Sequence, residues 1–309
     1  MQGIRIGVGV ADAGNSPLDD LVAQVVAAEE AGFHSVWIPN IFGMDAMTLC
    51  ALAGVKTSRI ELATAVVPTY SRHPMYCAQQ AASTQAACEG RFVLGLGPSH
   101  KIVIEDMLGL SYAKPARHVR EYVSIVGALL EKGEIQFEGE TYQVKGRLAV
   151  ACGKPPPLLI GALGPLMRKI AGSLCDGTIT WMTGPRTLGE EVGPGIRAAA
   201  EAAGRAAPRI VAGVPVVLTD DADGARETAA QSFAMYGMLP SYRAMMDAEG
   251  VEGPGALTLA GDEKTIEEGI RRYAEAGVTD FNAAIFPHGP DRKAAVERTH
   301  ALIGELARQ

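Results

Sequence analysis

Three histidines, His73, His100 and His288, fall just beyond apolar runs, where a chain that has finished a buried strand turns back towards solvent. Imidazole is the side chain best suited to giving or taking a proton near neutral pH, and His100 is the first candidate for that work, with His73 beside it. Their spacing includes no His-x-His or His-Glu-x-x-His pattern, so no metal site is expected. Asn40 follows another such run; its amide can hydrogen-bond a planar heterocycle but cannot exchange a proton, and loop geometry explains it equally well. Gly161-Ala162-Leu163-Gly164-Pro165 ends a run and opens a helix, which leaves backbone amides facing outward with no bulky side chain beside them. Such a helix start seats a phosphate, and it can equally be a tight turn that needs glycine. Trp181, Met182 and Thr183, with Tyr70, Phe42 and Phe286, can wall an apolar slot for a flat ring, although aromatic residues also serve as ordinary core. Carboxylates are scarce at these corners; Asp12 and Asp45 are the exceptions, and both can simply cap helices.

The elements that must hold these residues alternate along the chain. Strand-like runs are expected at residues 4–10, 35–39, 60–67, 91–97, 158–161, 178–181, 210–218 and 280–286, most of them followed by amphipathic helical segments such as 18–31, 75–88, 115–130 and 262–276. The third run reads as one continuous apolar strand, covered on both faces, that passes directly into the polar corner 68–74. Residues 135–148 alternate around Glu138-Gly139-Glu140 like an inserted hairpin. Residues 234–256, rich in Met and Tyr, fit no strand and read as a lid or extra helix whose Tyr236 and Tyr242 would cover a pocket. Eight βα units, with no Gly-x-Gly-x-x-Gly after the first strand, favour a single closed (β/α)8 TIM barrel spanning residues 1–309 over an open doubly wound sheet. In such a barrel the corners share one rim, and His34, His118 and His300 are expected at the opposite rim or on outer helices.

A formal charge of −7 disfavours nucleic acid and anionic membrane as partners and leaves small molecules. The five cysteines, at 50, 77, 88, 152 and 175, have neither Cys-x-x-Cys nor zinc spacing, so they read as reduced core thiols of a cytoplasmic protein. No signal peptide and no membrane-spanning stretch are expected. The small-residue helix 75–88 permits a homodimer and serves internal packing equally well.

Five segments together resemble the luciferase-like monooxygenase superfamily, in its branch of oxidoreductases that use the deazaflavin coenzyme F420. They are Ser35-Val-Trp-Ile-Pro-Asn-Ile-Phe42, Ala63-Thr-Ala-Val-Val-Pro-Thr-Tyr70 with Arg72-His-Pro74, Arg91-Phe-Val-Leu-Gly-Leu-Gly-Pro-Ser-His100, the Gly161–Pro165 string and Asp176-Gly-Thr-Ile-Thr-Trp181. The resemblance implies a metal-free barrel with a flat isoalloxazine-like ring over the C-terminal strand ends and a cis peptide at Ala65-Val66. It also implies that Asn40, Ala65, Val66, Pro98 and Ser99 hold the ring, while Gly161, Ala162, Leu163, Gly164, Leu166 and Met167 meet the cofactor phosphate. Lys101 and Arg168 are possible partners for its anionic tail. Ile41, Tyr70, Trp181, Tyr236, Tyr242 and His288 would line the substrate pocket.

Two departures bear on the substrate. Where sugar-phosphate dehydrogenases of this family carry Asp-His after the second strand, this chain has Asn40-Ile41, and where they carry Glu after the fourth strand it has His100. Sugar-phosphate oxidation by that route is therefore not expected, and the proton would come from His100, His73 or a lid tyrosine. The implied activity is F420-dependent hydride transfer that reduces a C=C, C=N or C=O bond. The alternatives are an FMN-dependent monooxygenase, a non-catalytic flavin-binding protein and, more weakly, a metal-free isomerase or lyase.

Overall fold

In a computed structural model, which describes residues 3–10, 14, 16–150 and 153–309, eight parallel strands close into a barrel. They are β1 (Arg5–Gly9), β2 (Ser35–Ile38), β3 (Glu61–Thr64), β4 (Phe92–Gly97), β5 (Leu158–Gly161), β6 (Gly177–Trp181), β7 (Arg209–Leu218) and β8 (Asp280–Ile285). Each pairs with the next, and β8 pairs with β1 to complete the ring. The helices form an outer layer, and the main core lies between them and the strands. Near-continuous apolar strands follow from this arrangement, because each strand is covered on both faces. Asp12 and Cys152 lie outside the described residues.

Inside the ring, Trp37, Ala63, Val93, Leu159, Ile179 and Val211 pack together, one from each of β2 to β7. Below them an ion cluster closes the N-terminal end. Arg209 holds both oxygens of Glu61, at 3.0 and 2.9 Å, and both of Asp280, at 3.2 and 2.6 Å. Arg5 joins the same two carboxylates. The four residues open β1, β3, β7 and β8, so charge is buried at that end only in paired form, as a low-dielectric interior requires.

Helix boundaries match the sequence reading closely. Leu18–Ala31 stops at Gly32, whose φ of 91° is the left-handed conformation of a glycine C-cap. Pro74–Ala87, Pro115–Lys132 and Glu263–Glu275 stand where periodicity places them. The hairpin of Glu134–Glu138 and Gln143–Arg147 is antiparallel, and the Glu121 carboxylate holds its turn by accepting from the backbone N–H groups of Glu140, Thr141 and Tyr142. The 234–256 stretch forms the helices Ala234–Met238 and Pro240–Glu249 and enters a 3-10 turn, Pro254–Leu257.

Three differences matter. The third apolar run is not one strand: β3 ends at Thr64, the chain leaves the ladder at Ala65 and Val66, joined by a cis peptide, and Val67–Pro68 re-pairs with Leu96 and Gly97 of β4. A helix over Ala46–Gly54, capped by Asp45, and a π-helical segment over Ile102–Met107 follow β2 and β4. A short strand, Leu259–Gly261, adds to the upper end of β7.

Candidate active site

The C-terminal strand ends form the mouth of the barrel, the end at which barrel enzymes place their chemistry. The break after β3 is received by glycines of β4. A Cβ on Gly95 would lie 1.9 Å from the Thr64 carbonyl oxygen, and one on Gly97 would lie 2.5 Å from Val66 Cγ2. The buried Thr64 hydroxyl bridges the strands, accepting from Gly95 N and donating to Gly95 O, both at 2.9 Å. Ala65 and Val66 thus rest on the inner core as a small apolar step under the mouth.

Beyond the step, Thr69 N donates to Gly97 O and turns the chain. Tyr70 stacks between Tyr112 and His118, with ring centroids 5.2 and 3.7 Å away, and His118 Nε2 meets Thr69 Oγ1 at 2.9 Å. His118 therefore belongs to the rim corner: although it sits on an outer helix, it lies in that helix's first turn. Burial lowers its pKa to about 4, so the ring is neutral. Tyr112 donates to Ser99 O, and Ser99, at φ 58°, turns the chain towards His100.

His100 faces the lid. Its ring lies 5.7 Å from that of Tyr242, which stands 5.0 Å from Tyr236; Tyr236 in turn lies 6.0 Å from Trp181. Phe233 continues the arc from Trp181 to Phe286. Burial holds the His100 imidazole below the ordinary histidine value, and burial pushes the Tyr242 phenol far up, so that phenol stays protonated. The lid helix is fixed as well as placed: the Glu249 carboxylate accepts from Arg186 N and Thr187 N at the start of the helical turn after β6, and Met246 packs with Met182.

The helix after β5, Pro165–Leu174, starts differently. Its N-cap is Gly164, and no side chain caps it. At φ −76°, Gly164 has a conformation open to any residue, and a Cβ there would meet nothing within 4 Å. On Gly161 a Cβ would meet only Ile179 O, at 3.9 Å. Ala162 is buried, Leu163, Gly164 and Met167 are half-buried, and Leu166 is exposed. Free amides with open space before them fit a phosphate, which a helix N-terminus attracts through its N–H groups and dipole.

Other expected residues sit elsewhere or are already engaged. His73 is exposed and caps the helix Pro74–Ala87, its Nδ1 accepting from Met75 N, on the Tyr142 side of the corner. Both ring nitrogens of His288 are taken, by Thr228 Oγ1 at 3.0 Å and Asp221 Oδ2 at 3.3 Å. Asn40 Oδ1 accepts from Ala46 N, fixing the loop and leaving only its N–H groups to offer. Arg168 is bound to Leu163 O and Glu191, whereas Lys101 is exposed beside Glu105. Asp45 caps its helix and pairs with Arg72. Ile41 and Phe42, 68% and 61% exposed, present apolar surface just beyond β2. Among the described residues no group of His, Cys, Asp or Glu is arranged to hold a metal. Tyr112 escaped the sequence reading, and His118, expected at the opposite rim or on an outer helix, stands on an outer helix but at its rim end.

Fold and mouth together define a (β/α)8-barrel enzyme. The chain belongs to the luciferase-like monooxygenase family, whose model matches residues 4–280. It is 27% identical to the 5,10-methylenetetrahydromethanopterin reductase of Methanopyrus kandleri, aligned over 91% of each chain. It is 31% identical to the F420-dependent glucose-6-phosphate dehydrogenase of Nakamurella multipartita, over 84% of this chain and 79% of that one. An F420-dependent secondary alcohol dehydrogenase, solved with an F420-acetone adduct, superposes with a TM-score of 0.82 over 100% of both chains at 21% identity, a likeness of fold.

Proposed function

We propose that the protein is a coenzyme F420-dependent oxidoreductase acting on a small, uncharged organic substrate. The observation that carries this reading is the uncapped helix start at Gly164, with open space before it, at the same barrel end as the Ala65-Val66 step and the His100–Tyr242 pair. The amides at residues 161–167 would hold the cofactor phosphate, the step at Ala65 and Val66 would support its ring, and the Asn40 amide would donate to it. When bound, F420 supplies two-electron hydride chemistry.

The protein's own part is binding, exclusion of water and proton movement. Tyr236, Tyr242, Trp181 and Phe233 cover the mouth with aromatic surface, which suits a mostly apolar substrate. His100 supplies the proton at the atom that gains charge when a C=C, C=N or C=O bond is reduced. The relative named for glucose 6-phosphate is 31% identical, but Ile41 here cannot move a proton. The four described cysteines, all buried free thiols, support a reducing, cytoplasmic setting. The exposed apolar side chains Leu52 and Tyr76 on adjoining helices, with Val55 just past the end of the first, support a homodimer.

Titration of the purified protein with F420 and, separately, with FMN tests the reading. F420 should bind with saturation, and Gly164→Leu should weaken it while the thermal midpoint stays put. Tight FMN binding with no response to F420 would replace the proposal by a monooxygenase.

A further inference from the structure

Between β4 and the helix Pro115–Lys132 the chain makes an excursion, and His100 stands near its start. The outward limb is fixed from within. The His100 carbonyl accepts from Val103 N and Ile104 N, both at 3.0 Å, and Ile104 is fully buried. Leu110 N then donates to Ile104 O at 2.9 Å, which turns the chain back. On the return, the Tyr112 hydroxyl donates to Ser99 O at 3.0 Å, so the end of the excursion clasps its beginning.

Ser99 needs that clasp. Its φ of 58° lies in the left-handed region, which a serine side chain disfavours. Backbone of this kind persists where its surroundings over-determine it, and such positions gather at active sites. The Ser99 carbonyl belongs to the planar peptide unit that leads into His100, so the bond from Tyr112 fixes the plane from which the imidazole departs.

Tyr112 is held in its turn. Its N–H donates to Glu105 Oε1 at 3.2 Å, and its ring stacks on that of Tyr70 at 5.2 Å. Burial pushes its phenol pKa up, so the hydroxyl stays protonated and remains a donor.

We infer that Tyr112 is a positioning residue: by holding the peptide unit between Ser99 and His100 in a left-handed turn, it aims the imidazole at Tyr242 and the covered mouth. The inference rests on the proposed role of His100 in proton transfer, whereas the clasp itself can be measured without cofactor.

The chain has six histidines, and in protein labelled with 13C-histidine the loss of one ring signal in His100→Gln assigns His100. The lid phenols, Tyr242 and behind it Tyr236, stay protonated, and Lys101 and Glu105 of its own loop pair with each other, so burial governs the imidazole. Tyr112→Phe keeps the stack on Tyr70 and removes the hydrogen bond. The His100 titration midpoint should then move up towards 6.5 as the turn loosens and the ring gains solvent. In a Ser99→Gly background the same Tyr112→Phe change should do little, because glycine takes this φ readily. With reduced F420 and cyclohexenone as the probe, Tyr112→Phe should lower kcat about tenfold while KM and F420 affinity stay at the wild-type level.

A His100 midpoint equal to wild type in Tyr112→Phe, or an equal Tyr112→Phe effect with and without Ser99→Gly, overturns the inference. So does a midpoint that moves while kcat on the probe holds, since the turn would then have no consequence for the rate. Failure of the wild-type protein to bind F420 removes the proposed function instead, and the midpoint still decides whether Tyr112 holds His100.

Discussion

The imidazole of His118 lies face to face on the phenol ring of Tyr70, with centroids 3.7 Å apart and planes 6° from parallel. Its Nε2 reaches Thr69, so one neutral ring braces two successive residues of the corner after β3. The unfolded chain takes up this proton near 6.5, whereas the folded one resists it until about 4 because of burial. Between those values the unfolded state binds more protons, so stability falls as pH drops through that window and is fully present above it. His118→Gln should flatten this acid-side slope in urea titrations; a slope equal to wild type would mean that other groups set it.

His100 should behave as a proton-transfer group. His100→Gln is expected to lower kcat by about 10²-fold to 10³-fold with F420 affinity unchanged. Burial depresses its pKa, so the wild-type reduction rate should fall as pH rises through a value below 6.5, and the reverse oxidation should gain over the same range. Stopped-flow rates of cofactor oxidation across pH decide the point. A profile that survives the substitution assigns the proton to another group, with Tyr242 next in line.

Gly164→Asp should change stability and binding in opposite directions. A carboxylate at this N-cap satisfies the free amides and raises stability by a few tenths of a kcal/mol, since glycine is already a tolerated cap. The same carboxylate would occupy and repel the phosphate site, weakening F420 by at least about tenfold. Calorimetry and cofactor titration on one preparation check both. Unaltered affinity would place the phosphate elsewhere.

Gly95→Ala tests the fit between β4 and the break in β3. Its methyl would meet the Thr64 carbonyl, backbone that cannot swing aside. A loss of about 1–3 kcal/mol or more is expected in denaturant unfolding. A neutral substitution would show that the two strands part more easily than their contacts suggest.

Much of the barrel was legible because buried parallel strands advertise themselves as apolar runs and glycine marks helix ends, as at Gly32. The break after β3 was hidden for the same reason: Ala65, Val66 and Val67 are as apolar as any strand, and only contact with Gly95 and Gly97 divides them. His118 was assigned to the outer layer because its helix is external, and sequence does not tell which turn of a helix reaches the rim. The uncapped helix start at Gly164 was readable, being local in the chain. His288 illustrates the converse: its place after β8 was right, but Thr228 and Asp221, donated by another βα unit, take up its ring.

The ion cluster of Arg5, Glu61, Arg209 and Asp280 has a consequence for how the chain comes to be made. Its members open the first, third, seventh and eighth strands, so a ribosome has made the first seven strands before the last carboxylate emerges. Until then Arg209 lacks one of its two counter-charges, and a nascent fragment ending before β8 has no way to shut the ring. Closure of the barrel therefore waits on translation of β8.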